Sequence, residues 1–376
     1  MSPERRAEDR GEPDRRKRVD VQVPDLLTRM IEMGASDLHL KAGRAPTARV
    51  DGLLELMPES PLHEDEIAVF VEAMMPEYRR KVFSERGEVD FAYEVGGIGR
   101  FRVNVYRQQG AVALAIRYVL PTVPTLVELG MPPVATRLAQ ETDGLILVTG
   151  STGSGKTTTL ASMIDYINHT RDAHIVTVED PVEIRHEEDR CLISQREIGA
   201  DTENFRTALK MVLRQDPDVI LIGEMRDAET VWAAIAAAET GHLVLATLHT
   251  VTATETINRV LDFFPASQHG QVRSSLAGAL RGIIGQRLVP RADLVGRVPI
   301  VETLVATGRV FDRIIDPERT HELEDVIREG SFYGMQLFDQ HALALYQAGA
   351  ITRQVALSAA TRPHDLALMM TQEAAA

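Results

Sequence analysis

The sequence contains little of what crosslinked, zinc-stabilised or membrane-spanning proteins need. Its single cysteine, Cys191, excludes an intrachain disulfide and a four-cysteine zinc site. No run approaches the roughly 20 apolar residues that span a bilayer. The first ten residues, MSPERRAEDR, lack the apolar segment of a secretion signal. We therefore expect a cytoplasmic protein.

The charge balance also narrows the choice of partners. The formal net charge is −14 at pH 7, and aromatic residues make up only 5% of the chain. A negative surface repels nucleic acid and anionic lipid, and single-stranded nucleic acid is usually bound by basic grooves lined with aromatic side chains. We therefore expect no nucleic-acid partner.

The pattern of apolar residues divides the 376 residues into five parts. An almost entirely charged start predicts a disordered tail. Helical spacing mixed with alternating runs, with a hairpin signal at Asp51-Gly52, then predicts a small α+β domain. Short apolar runs that alternate with helices indicate a parallel sheet in an α/β domain. The predicted parts are the tail (1–20), the α+β domain (21–120), a linker (121–130), the α/β domain (131–310) and a C-terminal helical region (311–376).

The strongest motif is a glycine-rich phosphate loop. An apolar run over 145–148 leads into Gly150-x-x-x-x-Gly155-Lys156-Thr157, after which a helix is predicted. Glycines let the backbone turn its N–H groups toward a polyphosphate, and the dipole of the helix points the same way. We expect Lys156 to bind the β- and γ-phosphates of ATP, and the Thr157 hydroxyl to ligate Mg²⁺. The predicted nucleotide-binding residues are Gly150, Ser151, Thr152, Gly153, Ser154, Gly155, Lys156, Thr157 and Thr158.

Three further apolar runs each end in a residue suited to nucleotide chemistry. Ligands of an open parallel sheet bind at the carboxyl ends of its strands, so Glu179, Glu224 and His249 are predicted to converge on the nucleotide. Glu224 is expected to order Mg²⁺, and His249 to hydrogen-bond the γ-phosphate. Glu179, in preference to Asp180, is expected to orient or deprotonate the attacking water. The alternative is that this pair caps the turn before Pro181.

Other candidates lie away from that edge. His242 begins the strand that His249 ends, so its position alone favours a structural histidine. An ATPase of this design often needs an arginine from elsewhere to offset charge in the transition state, whereas arginines on strands are otherwise a solvated surface. The arginines on or beside strands of the first domain are Arg100, Arg102, Arg107 and Arg117. Their spacing does not select among them.

Two further predictions concern helices. Capping residues predict a helix start at Asp201 or Thr202 and another at Asp227. Near the C terminus, helical spacing predicts a face that packs on the ATPase domain, made of Phe338, Ala342, Leu345 and Tyr346. The residues left for solvent or a partner are then Gln340, His341 and Gln347.

These motifs resemble those of the type IV pilus twitching-motility ATPases, the PilT/PilU family of the type II/IV secretion ATPases. The Asp box of that family is similar to IVTVEDPVEIRH (175–186), and its Walker B region to DPDVILIGEMRDAET (216–230). Its His box is similar to TGHLVLATLHT (240–250). Its first domain is similar to GASDLHLKAG (34–43) and GRFRVNVY (99–106).

The resemblance implies more than the spacing does. It implies a PAS-like first domain, a RecA-like P-loop ATPase domain with a parallel sheet, and a homo-hexamer with ATP at the subunit boundaries. It also implies retraction of a pilus against an inner-membrane platform protein, with the chain peripheral to the membrane. Because His242 belongs to the His box, the resemblance implies that it contacts nucleotide. Arg102 and Arg117 match the arginines that such families present to nucleotide.

Two departures keep the exact function open. RVFDRIID (309–316) stands where PilT-type chains carry AIRNLIRE, and the tail from His321 is more similar to PilU-type chains. The resemblance therefore implies either a motor or an accessory to a PilT-like paralogue. The alternatives are a nucleic-acid motor on the same fold and a non-catalytic, ATP-binding regulator of a paralogue. The intact Lys156, Thr157, Glu179 and Glu224 favour catalysis over regulation.

Overall fold

A computed structural model describes residues 22–50, 52–119 and 122–373. The predicted tail over 1–20 lies outside these residues. The chain divides after Tyr118 into two compact units. Within the described ranges, no helix is both long enough and apolar enough to cross a membrane.

The first unit is an α+β structure built on a six-stranded sheet. Its elements are α1 (Val23–Glu32), β1 (Asp37–Lys41), β2 (Thr47–Val50), β3 (Leu53–Leu56), α2 (Glu64–Met74), α3 (Glu77–Arg86), β4 (Glu88–Val95), β5 (Gly99–Gln108) and β6 (Ala111–Val119). The strand order is β3-β2-β1-β6-β5-β4. β2 and β3 pair antiparallel across the predicted hairpin, and β1 pairs antiparallel with both β2 and β6.

The alternation of β5 gives this sheet one apolar and one polar face. Phe101 and Val103 are fully buried and join an apolar cluster that includes Leu26 of α1 and Phe70 of α2. Since successive side chains of a strand point to opposite faces, Arg102 lies on the polar face. The helices therefore cover one side of the sheet, and Arg100 and Arg102 lie on the other.

The second unit contains a seven-stranded sheet and the remaining helices. Its elements are α4 (Pro133–Ala139), β7 (Gly144–Thr149), α5 (Lys156–Thr170), β8 (His174–Glu179), β9 (Leu192–Glu197), α6 (Phe205–Val212), β10 (Val219–Ile222), α7 (Ala228–Glu239), β11 (Leu243–Leu248), α8 (Ala253–Asp262), α9 (His269–Ala279), β12 (Leu280–Pro290), β13 (Arg297–Val305), α10 (Gly308–Ile315), α11 (Leu323–Glu329), α12 (Phe338–Gln347), α13 (Arg353–Ala359) and α14 (Pro363–Glu373). Short 3₁₀ helices span Ala266–Gln268, Pro317–Glu322 and Ser331–Tyr333.

The strand order β13-β12-β7-β11-β10-β8-β9 confirms the predicted α/β fold. All neighbouring strands pair parallel except β12 with β13, which pair antiparallel. Alternate residues of β7 enter two separate apolar clusters, Leu145 and Leu147 in one and Ile146 and Val148 in the other. Both faces of the sheet are therefore covered, as expected for a parallel sheet.

Two local predictions are wrong in position. The cap of α6 is Asn204, whose side chain accepts the N–H of Thr207, and not Asp201 or Thr202. Asp201 instead accepts the N–H of Glu197 at 2.8 Å. The spacing of apolar residues after Pro265 predicts a helix over 267–283, but that helix ends at Ala279 and β12 begins at the next residue, Leu280. The predicted cap of α7 is confirmed, because Asp227 accepts the N–H of Thr230 at 2.8 Å.

The C-terminal helix α12 packs as predicted, with one exception. Phe338 and Ala342 are buried in a cluster that also contains Ile300 of β13. His341 does not face solvent: its Nδ1 accepts the N–H of Val301 at 2.9 Å. Burial lowers the pKa of His341 to about 4. The apolar face was predicted correctly, but it is wider than the four residues assigned to it.

Candidate active site

The phosphate loop lies between β7, which is buried along its whole length, and the start of α5. Gly150 and Gly155 have φ angles of 146° and 90°, which favour glycine. A Cβ at Gly155 would lie 2.8 Å from Nε2 of Gln286, and one at Gly150 would overlap the Gln286 carbonyl oxygen. The two outer glycines are therefore required both by their conformation and by the close approach of β12.

Gln286 supports this loop from β12, although no motif in the sequence marks it as a site residue. Its Oε1 accepts the hydroxyl of Thr159, in the first turn of α5, at 2.9 Å. Both side chains are buried. The available signal was a single glutamine inside the apolar run from Ile283 to Val289. A polar residue at such a position needs a buried partner, although the sequence does not say which one.

Lys156 is held at the mouth of the loop. Its Nζ donates to the carbonyl oxygens of Gly150 and Ser151 at 2.7 and 2.9 Å. Burial lowers the pKa of Lys156, and the charges of Glu224 and Glu183 oppose that effect. An ammonium that is buried among carbonyls and close to carboxylates is suited to bind phosphate oxygens.

The hydroxyl groups of the loop are also suited to bind a polyphosphate. Ser154 is buried, and its Oγ has no hydrogen-bond partner among the described residues. An unsatisfied buried hydroxyl is costly unless a ligand or water completes it. Thr157 is exposed in the first turn of α5, and Thr158 is partly buried beside it. The residue types and their positions therefore fit ATP with Mg²⁺.

Glu224 and His249 meet at the carboxyl edge of the sheet, as the sequence predicted. Nε2 of His249 lies 3.0 Å from Oε1 of Glu224, and Nδ1 of His249 lies 3.5 Å from Nζ of Lys156. The imidazole therefore stands between a cation of the phosphate loop and a carboxylate that follows β10. We call Lys156, Glu224 and His249 the edge cluster.

Arg226 is a member of this edge that the sequence analysis overlooked. Its guanidinium lies 2.7 Å from Oε2 of Glu224. Burial raises the pKa of Glu224, but the hydrogen bond and charge of Arg226 oppose it. The charges of His249 and Lys156 add to the lowering, and the pKa of Glu224 ends below its ordinary value. Glu224 is therefore a carboxylate at neutral pH, as a group that orders a cation or accepts a proton must be.

Glu179 ends β8 next to β10. It is 8% exposed, and its Oε1 accepts the Thr177 hydroxyl at 2.6 Å and the Gln195 amide at 3.3 Å. A Cβ at Gly223 would lie 3.4 Å from the Glu179 Cα, so the segment that carries Glu224 passes directly beside it. Asp180 is exposed, and its charge helps to raise the pKa of Arg226. Both members of the acid pair therefore lie at the same edge as Glu224.

A cleft of about 770 Å³ opens beside Glu224 and His249. Its other wall comes from α8, including Asn258 and Arg259. Glu224 and His249 are thus accessible from the side that faces α8.

The family described as Type II/IV secretion system protein matches residues 17–331. The chain belongs to this family. Among its relatives from Pseudomonas aeruginosa, the type IV pilus ATPase PilU is 43% identical, over 93% of this chain and 91% of PilU. The type IV pilus retraction ATPase PilT is 42% identical, over 92% of this chain and 100% of PilT. As a member of the PilT and PilU branch, the chain is an ATPase.

A solved relative shares the fold. The crystal structure of the pilus retraction motor PilT with bound ADP superposes with a TM-score of 0.83 at 43% identity, covering 92% of this chain and 99% of that one. This secretion-family fold confirms the predicted P-loop domain, the smaller domain before it and the helices that follow.

The secretion-family resemblance singled out three residues that lie outside the edge cluster. His242 precedes β11 and His249 follows it, so the two histidines lie roughly 20 Å apart along the strand. Its Nδ1 lies 3.0 Å from the Ala237 carbonyl oxygen. Arg102 and Arg117 lie on the first unit, with Nε atoms 3.6 Å from Asp90 and 2.8 Å from Asp37, respectively. Their roles toward nucleotide stay predictions.

Proposed function

We propose that this ATPase works as a homo-hexamer that hydrolyses ATP with Mg²⁺ and powers retraction of a type IV pilus, the process of twitching motility. The observation that carries the proposal is the edge cluster, which joins the phosphate-loop lysine to the Walker B glutamate through His249. The names of the relatives PilU and PilT support the mechanical task.

Each residue of the site has a part in this proposal. The N–H groups of residues 150–158, the Ser154 hydroxyl and Lys156 bind the phosphates. Thr157 and Glu224 hold Mg²⁺, which when bound neutralises charge on the phosphate oxygens. His249 hydrogen-bonds the γ-phosphate.

The hydrolytic step needs a base for water. We assign it to Glu179, which takes a proton while the water oxygen forms a bond to the γ-phosphorus. The bond from that phosphorus to the bridging oxygen breaks, and ADP leaves with the electron pair. The two donors that hold Oε1 of Glu179 fix the carboxylate for this task.

The hexamer assigns a place to the residues outside the edge cluster. We propose that Arg102, Arg117 and His242 reach the nucleotide at the boundary between subunits. The need of such ATPases for an arginine from outside the phosphate-loop motifs and the position of His242 at the opposite edge support action across that boundary. Arg226 has a different part: it is paired with Glu224 and keeps that carboxylate ionised.

The partners follow from the same proposal. We place the protein on the cytoplasmic side of the inner membrane, in peripheral contact with the pilus platform protein. The PilU-like tail favours work as an accessory to a PilT-like paralogue, and RVFDRIID, which forms α10, differs from the PilT motif at that place. The net charge of −14 argues against a nucleic-acid substrate.

Substitution of Glu224 tests the enzyme. In Glu224→Gln, ATP binding is retained while kcat falls on the order of 100-fold or more, because the amide keeps the shape but loses the charge. The matched control is Glu239→Gln, at the exposed end of α7, which keeps the wild-type rate. Wild-type turnover by Glu224→Gln protein would remove this residue from the mechanism.

A deletion strain tests the mechanical task. Twitching should be lost on deletion, return with the wild-type gene and stay absent with the Glu224→Gln gene. Twitching that returns with the Glu224→Gln gene would show that ATP binding suffices, and the regulatory alternative would replace the motor. A rise in ATPase rate on addition of DNA would favour the nucleic-acid motor instead.

A further inference from the structure

Glu302 is a buried carboxyl group that joins the starts of two helices. It lies on β13 opposite Gly285 of β12 and is 4% exposed. Its Oε1 accepts the N–H of Ala253, the first residue of α8, at 2.8 Å. The N–H of Phe338, the first residue of α12, also acts on this carboxyl group and lowers its pKa. One side chain therefore binds the start of a helix beside the active-site cleft and lies near the start of a helix of the C-terminal region.

The start of α8 is directly connected to the edge cluster. Ala253 follows a short segment, residues 249–252, that begins with His249. Within it the N–H of Val251 donates to Glu255 at 2.9 Å. The Thr250 hydroxyl lies 2.7 Å from that of Thr256. The segment is thus fixed at its α8 end, four residues from His249, which follows β11 directly.

Gly285 brings the same segment and α12 into contact with β12. A Cβ at Gly285 would lie 2.9 Å from the Val251 carbonyl oxygen and 3.1 Å from Cζ of Phe338. The next residue, Gln286, supports the phosphate loop. Because Phe338 and Val251 both pack closely on Gly285, we expect a shift of α12 to move residues 249–252 as well.

We propose that Glu302 is a positioning residue that links α12 to residues 249–252 and so places His249 for ATP hydrolysis. The proposal rests on the function proposed above, since it adds a residue to the same site. It also gives the C-terminal region a route to the chemistry: a partner that displaces α12 acts on His249 through Glu302.

The link depends on the charge of Glu302. Burial raises the pKa of Glu302 to about 7, against the N–H groups of Ala253 and Phe338 and the charge of Arg287, while the charge of Glu324 raises it further. Arg287 lies on β12 and Glu324 on α11, and Asp339 of α12 faces Arg287. Protonation removes the negative charge that attracts the N–H groups of Ala253 and Phe338, so the link loosens as pH falls through 7.

Two substitutions separate charge from length. Glu302→Gln keeps the length but does not titrate, and Glu302→Asp titrates but is too short to reach both helices. We expect wild-type kcat to fall as pH drops through 7, and Glu302→Gln to lack this acid limb. At about pH 8 its kcat should be about 3- to 10-fold below wild type with KM for ATP nearly unchanged, since a neutral acceptor binds N–H groups more weakly. Glu302→Asp should be slow at every pH.

Glu318→Gln, an exposed glutamate of the same unit, is the matched control and should keep the wild-type profile. All comparisons use protein shown by sizing to be assembled. An acid limb and a kcat that are both unchanged in Glu302→Gln protein would overturn the proposal, because Glu302 would then only fill the core.

Hydrogen exchange on the wild-type protein tests the link without a variant. After correction for the intrinsic rate, the peptides covering 249–256 and 336–343 should lose protection together between about pH 8 and about pH 6. Separate or absent responses would overturn the link. A protein without ATP turnover would contradict the proposed function instead, and the exchange result would still decide whether Glu302 joins the two helices.

Discussion

The phosphate loop depends on a side chain outside its own motif. Gln286 binds Thr159 through its amide oxygen, and its amide nitrogen and carbonyl oxygen lie against Gly155 and Gly150. Its position on β12 means that the shape of the loop is set by two strands, β7 and β12. The pairing of β7 with β12 therefore also fixes the position of the loop.

A double-mutant cycle tests this support. Gln286→Leu leaves the Thr159 hydroxyl buried without an acceptor, which should lower the free energy of unfolding by about 1–3 kcal/mol and weaken ATP binding. Thr159→Val should cost a similar amount. The double variant should lose less than the sum, because both polar groups are gone. Urea unfolding and titration with a fluorescent ATP analogue measure the two effects, and strictly additive losses would mean that the pair does not act together.

The acid pair at the end of β8 differs in burial, and its two members should differ in effect. Glu179→Gln removes a buried carboxylate held by two donors and should lower kcat on the order of 100-fold. Asp180→Asn changes an exposed group and should lower kcat less. Steady-state kinetics at saturating ATP distinguish them. Equal and mild losses would favour a structural role for both.

At the scale of elements, α12 shows how a buried histidine affects stability. Nδ1 of His341 accepts the N–H of Val301, so a proton there would set two N–H groups against each other. Burial lowers the pKa of His341 from 6.5 to about 4. The unfolded chain therefore binds more protons between these values, and the stabilisation present above pH 6.5 is lost as pH falls toward 4.

His341→Asn should flatten this pH dependence, because its Oδ1 can accept the same N–H without titrating. The wild type should lose up to about 3 kcal/mol more than the variant between pH 7.5 and pH 4.5. Exposed His364→Asn is the control. Urea unfolding at the two pH values measures the difference, and an equal loss in wild type and His341→Asn would place the titration elsewhere.

The elements also show which features the sequence could predict. The sequence correctly predicted that three side chains lie close together, those of Lys156, Glu224 and His249. Each comes after an apolar run, and parallel strands share one carboxyl edge. β9 was missed because it is a partly exposed edge strand whose residues Ser194–Glu197 are polar. Gln195 lies on this strand and was therefore also missed, although its amide donates to Oε1 of Glu179.

Other features could not be predicted because their partners are distant in sequence. Gln286 binds Thr159 across 127 residues, and Glu302 binds Ala253 across 49. His341 was assigned to solvent because helical spacing marks apolar residues, whereas a neutral histidine can occupy the same face if a backbone N–H is within reach. Periodicity alone therefore underestimates the width of a buried face.

At the scale of the whole molecule, the proposal requires more than one chain for a complete site. Arg226 lies beside the edge cluster, but this arginine is paired with Glu224 and holds that carboxylate in its ionised form. A second positive charge is still needed to offset the transition state. In a ring each subunit presents the same surface to its neighbour, so an arginine of one chain can serve the nucleotide of the next.

Mixed rings test this arrangement. Arg102→Ala and Lys156→Ala proteins should each be inactive alone, the first for want of the arginine and the second for want of the phosphate-loop cation. If Arg102 acts on the neighbouring site, a 1:1 random mixture restores both parts at about one quarter of the sites, and the ATPase rate should rise to a similar fraction of wild type. Arg80→Ala, an exposed arginine on α3, is the control and should be active alone. Mixed rings that sizing shows to be intact but that stay inactive would contradict action across the boundary. Arg102 would then serve its own chain or only the polar face of its sheet.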